Sequence, residues 1–326
     1  MKALIYDAPH TLRFQDVPMP AMQERDVLVR VEAVGICGSD MHAFLGHDSR
    51  RPAPLILGHE AAGVIEEGPE KGRRVTINPL VSCGDCAACH TGRENLCPQR
   101  QIISMPPREG AFAQFVAIPP SNLVTVPDDI ALPKASLAEP LAVGWHAARL
   151  GLEALHPAME PRALVLGGGA IGLASCLCLR AQGLPTVDII EPNPERAEFL
   201  SAHCDARILA KPDRTAPLVV DAVGIAATRA AASTHVEPGG VITHIGLGDD
   251  AGGLDIRRMT LQEVTFIGTY TYSMQDFRDT AQALFAGELG ALEWFEERPL
   301  ESGPVTFEAL HTGRVAAPKV ILAPWD

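Results

Sequence analysis

Apolar and polar residues interleave along VLVRVE, where Val27, Val29 and Val31 alternate with Leu28, Arg30 and Glu32. A period of two predicts a strand with at least one buried face. The strand runs into GICGSD, whose glycines permit a turn and whose Ser and Asp suit a cap, so a helix is expected to begin near Ser39. Further on, residues 163–179 form a seventeen-residue uncharged stretch between Arg162 and Arg180, with four glycines in its first ten residues. It is slightly short for a membrane span. The glycines divide it into a buried strand, 163–166, and an apolar helix. The later apolar runs TVDII, LVVDAVG and GGVITHIGL continue the alternation expected of a parallel α/β sheet.

One connection breaks that rhythm. Only seven residues, 211–217, separate the apolar pieces RILA and LVVDAVG. A parallel crossover takes a dozen or more residues and usually a helix. Seven residues reach at most about 25 Å, and crossing three strand spacings with the return needs about 22 Å. The sequence therefore predicts a taut strap without a helix, with RILA a short edge strand or none.

At 326 residues the chain exceeds what one core usually organises, so two domains are expected. A formal charge of −13 argues against nucleic acid or an anionic membrane as partner. The N-terminal apolar run is short and broken by Asp7, unlike a secretory signal. A cytoplasmic location follows as the expectation, and there disulfides are rare.

Against that background, CGDCAACHTGRENLC places Cys83, Cys86, Cys89 and Cys97 in a C-x2-C-x2-C-x7-C pattern. The short gaps aim several thiolates at one point and the longer return supplies a fourth, which suits a closed tetrahedral zinc with no open position. An iron–sulfur cluster is the rival, and a disulfide pair the third reading. Such a closed site holds a loop and leaves catalysis to be found elsewhere. A second set of zinc-ligand types comprises Cys37 at the strand-to-helix junction, with His59 and Glu60 in LILGHEAAG. Taken singly, each of Cys37 and His59 reads more readily as buried core; together, on a chain that already carries the cysteine loop, they read as ligands.

After the 163–166 strand, Gly167, Gly169 and Gly172 give G-x-G-x-x-G, with Ile171 inside the motif. The first glycine makes the tight turn, the second lets backbone approach a pyrophosphate, and the third lets helix pack on strand. The helix N-terminus adds unpaired N–H donors. The second strand ends in Glu191, nineteen residues after Gly172, where a carboxylate accepts from a ribose diol and repels a 2′-phosphate. That favours NAD over NADP. Arg196 tempers it, since a nearby arginine accommodates such a phosphate; its other reading is a solvated helix charge.

The ordered motifs GICGSDMH, LGHEAAG, the cysteine loop, GAFAQFVAIP, LAEPLAVGWHA, GGGAIGL and KVIL together resemble the medium-chain zinc-dependent alcohol and polyol dehydrogenases, in the sorbitol and threonine dehydrogenase branch. The resemblance covers nearly the whole chain. It implies an α/β protein with a GroES-like β domain (1–138, completed by 275–326), a doubly wound Rossmann domain (139–274), and an active site in the cleft. It implies a catalytic zinc at Cys37 and His59 with Glu60 or Glu139 as carboxylate, Asp40 orienting the histidine, and Ser39 and His42 relaying a proton. It implies Lys319 near the cofactor pyrophosphate, where the residues alone also allow an exposed tail lysine. Cys176, Cys178 and Cys204 match no ligand position and read as buried filler.

The implied activity is oxidation of a secondary alcohol or polyol through a zinc alkoxide and hydride transfer to NAD, with two zincs per chain and a homo-oligomeric state. In GTYTYS, Thr271 stands where polyol dehydrogenases often carry an arginine, which puts sorbitol itself in doubt. The rivals are a zinc-free quinone or enone reductase of the same superfamily, which would lack the Cys37/His59/Glu139 set, and a non-catalytic NAD-binding protein.

Overall fold

The computed structural model describes residues 1–326. The chain divides into two compact units, Met1–Glu139 with Ser273–Ala286 and Phe295–Asp326, and Pro140–Tyr272 with Gly287–Trp294. Gly287–Trp294, which no motif in the chain sets apart, groups with the second unit. That stretch carries Leu289, Leu292 and Trp294, all buried.

The first unit is built on a seven-stranded sheet. The alternating stretch forms Val27–Gly35, and Glu60–Glu67 pairs beside it antiparallel, with Gly35 opposite Glu60. On its other side lies the tail strand Lys319–Ala323, with Ile321 opposite Gly35. These two registers bring three ends to one place. Cys37 follows one strand, His59 precedes the second, and Lys319 opens the third. A helix, Gly38–Phe44, starts one residue before the expected position, with Cys37 rather than Ser39 as its N-cap. Asp40 explains the difference: its carboxylate accepts from the Cys37 N–H at 3.0 Å, satisfying the junction from inside the helix. Beneath lies a core of Leu4, Val29, Val31, Val34, Ile65 and Phe112, among others.

The second unit holds a six-stranded sheet, every neighbouring pair parallel. Its order is Arg207–Leu209, Thr186–Ile190, Arg162–Leu166, Ala216–Asp221, Val236–His244, Thr265–Gly268. Helices Ala170–Ala181, Pro194–His203, Ala226–His235 and Ile256–Leu261 supply the crossovers. The exception is the predicted one. Residues 210–215 cross from the edge strand Arg207–Leu209 to Ala216–Asp221 without a helix. Arg207 and Arg214 both donate to Asp188, a buried carboxylate in the strand Thr186–Ile190. Arg207 also pairs with Asp213 in the strap itself. An ionic network thus fastens this connection to the sheet. No helix is long and apolar enough to cross a membrane.

Candidate metal centres and dinucleotide turn

The three strand ends of the first unit form one cluster. Sulfur, imidazole nitrogen and carboxylate oxygen of Cys37, His59 and Glu60 lie within 4.8 Å of one another. Gly35 makes room for it, because a Cβ at that position would stand 2.1 Å from Glu60 Oε2. Thiolate, imidazole and carboxylate are all zinc donors, so the set fits a zinc ion with a position left for a further ligand. Glu139, the alternative carboxylate, is buried in the first turn of Ala138–Ala154; it is not among the three whose ligand atoms lie within 4.8 Å of one another, but its charge reaches the cluster and helps raise Lys319. It lies on a helix outside the strand register that gathers the others.

Behind the imidazole sits Asp40, fully buried. Its Oδ1 accepts from the Gly58 N–H at 3.2 Å and lies 3.6 Å from His59 Nδ1. Burial alone would raise the Asp40 carboxyl, but the His59 charge and hydrogen bond, with Arg51 and the Cys37 N–H, hold it low. Such a carboxylate fixes which ring nitrogen faces the metal. Ser104, which the sequence did not single out, adds its hydroxyl 3.4 Å from the same Nδ1. The buried Arg51 donates to the Ser104 carbonyl. No local pattern in the sequence announces that contact across 45 residues. Ser39 and His42 are half-buried on the helix that Cys37 caps.

Lys319 departs from both expectations. It is 3% exposed, and its ammonium donates to both Glu60 oxygens at 2.7 Å and to the Ile36 carbonyl at 3.0 Å. It is therefore no exposed tail residue, and its donors are turned to the acidic cluster rather than held out for a pyrophosphate. Burial works against its charge, but Glu60 and Cys37 outweigh it and raise the lysine further.

The cysteine loop closes on itself. Cys86 and Cys89 sulfurs are 3.5 Å apart, Cys97 and Cys83 3.5 Å, and Cys83 and Cys89 3.9 Å. Four sulfurs each ~2.3 Å from a zinc would form a tetrahedron with edges of about 3.8 Å. The residues fit that ion. The thiols already compete for protons: the Asp85 N–H and then the Cys97 thiol draw Cys83 down to about 7, while burial and Cys86 push Cys89 up to about 11.

In the second unit the glycine turn has the expected build. Gly167 takes φ +98, and a Cβ on Gly172 would meet the Gly167 carbonyl at 1.8 Å. At Gly169 a Cβ would meet no atom of the chain within 4 Å, so the space over the helix N-cap is open to a ligand. Ile171 is half-buried on that helix. Glu191 is buried beside the turn. It accepts from Gly168 N–H at 3.1 Å and Asn193 N–H at 2.8 Å, with Arg196 3.5 Å away. Arg196 is therefore paired to Glu191 instead of standing alone in solvent. Thr271 has φ +46, strained for a β-branched residue, and its buried hydroxyl has no partner. Cys176 and Cys178 are buried, with burial raising Cys176 to about 12, and Cys204 is half-buried.

Two clusters of metal-ligand residue types on a strand-rich unit are thus followed by a glycine turn on a parallel sheet. Residues 23–128 match the alcohol dehydrogenase GroES-like domain and residues 170–286 the zinc-binding dehydrogenase domain. The L-idonate 5-dehydrogenase of Vitis vinifera is 32% identical over 291 residues, covering 80% of this chain and 78% of that one. A sorbitol dehydrogenase of Arabidopsis thaliana is 30% identical over 289 residues, covering 81% and 78%. The solved alcohol dehydrogenase TADH of Thermus sp. ATN1 superposes with a TM-score of 0.87 at 26% identity, covering 99% of each chain. The chain belongs to the medium-chain zinc-dependent alcohol and polyol dehydrogenase family, and it is an enzyme of that family.

Proposed function

We propose that the chain oxidises a secondary alcohol or polyol to a ketone, with NAD as hydride acceptor and two zinc ions per chain. The observation that carries this reading is the convergence of Cys37, His59 and Glu60 on one point, with Asp40 behind the imidazole. A zinc ion there would lower the pKa of an alcohol hydroxyl and polarise a carbonyl, and the nicotinamide would take up the hydride.

The chain's own residues do the rest. Asp40 and Ser104 hold the His59 ring, and Cys37 presents its sulfur from a helix cap. Lys319 offsets the charge of Glu60, leaving Cys37 to balance more of the metal charge. Ser39 and His42, two and five positions after Cys37, are suited to carry a proton from the substrate hydroxyl towards water. The cysteine loop keeps Cys83, Cys86, Cys89 and Cys97 around a structural ion that offers substrate no position. Glu191 supports NAD, because its buried carboxylate beside the glycine turn opposes a 2′-phosphate; the Arg196 contact reduces that opposition without reversing the sign.

The substrate class follows from relatives named for sorbitol, idonate and xylulose. Thr271 offers one small hydroxyl and no forked cation, which favours a neutral alcohol over a sugar acid. A screen of polyols and secondary alcohols with NAD, read at the NADH absorbance, tests the reading. Turnover lost in Cys37→Ala supports it, and an unchanged rate in that variant refutes it.

A further inference from the structure

The loop after the strand Val236–His244 has the sequence GLGDDAGG, residues 246–253. None of its eight residues is buried, and its one large apolar side chain, Leu247, is 70% exposed. Four glycines and no apolar anchor would leave such a loop with many conformations. Backbone bonds from Gly246 N–H to the Asp221 carbonyl at 3.2 Å, Gly248 N–H to Val223 at 3.2 Å and Asp249 N–H to Gly224 at 2.9 Å seat the first limb, and one side chain fastens the rest. Arg229, on the helix Ala226–His235 and 6% exposed, sends its Nε to the Gly252 carbonyl at 2.6 Å. Its Nη1 donates to the carbonyls of Asp249 at 3.2 Å and Gly224 at 2.9 Å, and its Nη2 to the Ala251 carbonyl and the Asp249 carboxylate. Asp249 also accepts from the Ala226 N–H at 2.9 Å. A planar five-donor fork thus engages Asp249, Ala251 and Gly252 of the loop and Gly224 beside it at once, a task no lysine or apolar residue performs.

The place of this loop in the sheet gives the clamp a use. Ligands of open parallel sheets bind at the carboxyl ends of the strands, around the point where strand order reverses. Here that point lies between Arg162–Leu166 and Ala216–Asp221. Glu191 marks the adenosine side, at the end of the neighbouring strand Thr186–Ile190. The other half of a dinucleotide then extends over Ala216–Asp221 and Val236–His244, and residues 246–253 leave the carboxyl end of the latter strand.

We propose that Arg229 is a positioning residue for the nicotinamide half of the cofactor, acting by holding residues 246–253 in a binding-competent conformation. The proposal rests on the nicotinamide cofactor reading above. Without the clamp, the loop must be ordered at the moment of binding, and that cost falls on nicotinamide recognition alone.

The test compares NADH with ADP-ribose, which keeps the adenosine and pyrophosphate but lacks the nicotinamide ring. In the intact chain, Arg229→Met is expected to weaken NADH about tenfold while ADP-ribose changes less than about twofold. Arg229→Lys, retaining one donor head, should recover part of the NADH loss. If Arg229→Met does not fold, Asp249→Ala removes only one end of the clamp and should weaken NADH by about threefold, again sparing ADP-ribose. Equal weakening of both ligands would reduce Arg229 to a purely structural role and overturn the proposal, as would no change in either. If the unaltered chain binds ADP-ribose but not NADH, the nicotinamide reading has failed and takes the proposal with it.

Discussion

Lys319 Nζ lies 2.7 Å from each carboxylate oxygen of Glu60, and both side chains are almost wholly buried. The two residues are 259 positions apart and meet because Val27–Gly35 is flanked by the strands that carry them. In the metal-free chain, removing one partner leaves the other as an uncompensated buried charge. Lys319→Met should therefore cost about 3–5 kcal/mol, and adding Glu60→Gln should restore a large part of it. Urea unfolding of the single and double variants measures both. Because the folded lysine is raised above its ordinary 10.5, its contribution is complete below that pH and lost as pH climbs beyond it.

Lys319 also shows where sequence reasoning stops. Its place at the head of KVIL is visible, but its burial depends on two strand registers and on Gly35 leaving space for the Glu60 carboxylate. The cysteine loop and the glycine turn were legible because their spacing is short and each position has a local geometric duty. The helix-free strap was legible from length alone. Ser104 behind His59 and Arg229 under the 246–253 loop were not, since each makes its contact through a fold that no local periodicity encodes. Glu139 was expected as one of two candidate carboxylates through likeness to the family; it comes from a helix rather than a strand end, and its charge is felt at Lys319 beside the three that the strand ends bring together.

The strap should depend on Asp188. Burial raises this carboxyl, but hydrogen bonds from Arg207 and Arg214 outweigh it and hold it below its ordinary value. Asp188→Asn should cost about 2 kcal/mol, in the range for hydrogen bonds to charged groups, and speed proteolysis within residues 210–215. Thermal unfolding and limited proteolysis provide the two readings. Unchanged cleavage at the strap would show that the network does not fasten it.

Acid should act through Asp48 as well. The group is partly shielded from solvent, and that burial raises its carboxyl. The Arg50 side-chain and backbone donors, with the charges of Arg50 and Arg51, bring it down to about 2. A folded value below the unfolded 3.8 contributes stability above pH 3.8, lost as pH falls from there through about 2. Asp48→Asn should lower stability at neutral pH by about 1 kcal/mol, discounted for the exposed Arg50. It should also flatten the acid limb of a stability–pH curve.

The cysteine loop should be separable from the second centre. Cys97→Ser removes a buried thiolate from the four-sulfur cluster and leaves Cys37, His59 and Glu60 intact. Zinc content should fall by one ion per chain, with a lowered melting temperature and bound metal retained at the other site. Metal analysis after dialysis against a mild chelator, with differential scanning calorimetry, checks both effects.

The most direct measurement of the central claim is zinc per chain in Cys37→Ala beside the unaltered protein, with alcohol-dependent NADH formation read on the same samples. Two zincs falling to one, together with loss of turnover in a folded variant, is the predicted result. One zinc in the unaltered protein, or a Cys37→Ala chain that keeps both ions and its rate, would contradict a metal held by Cys37, His59 and Glu60.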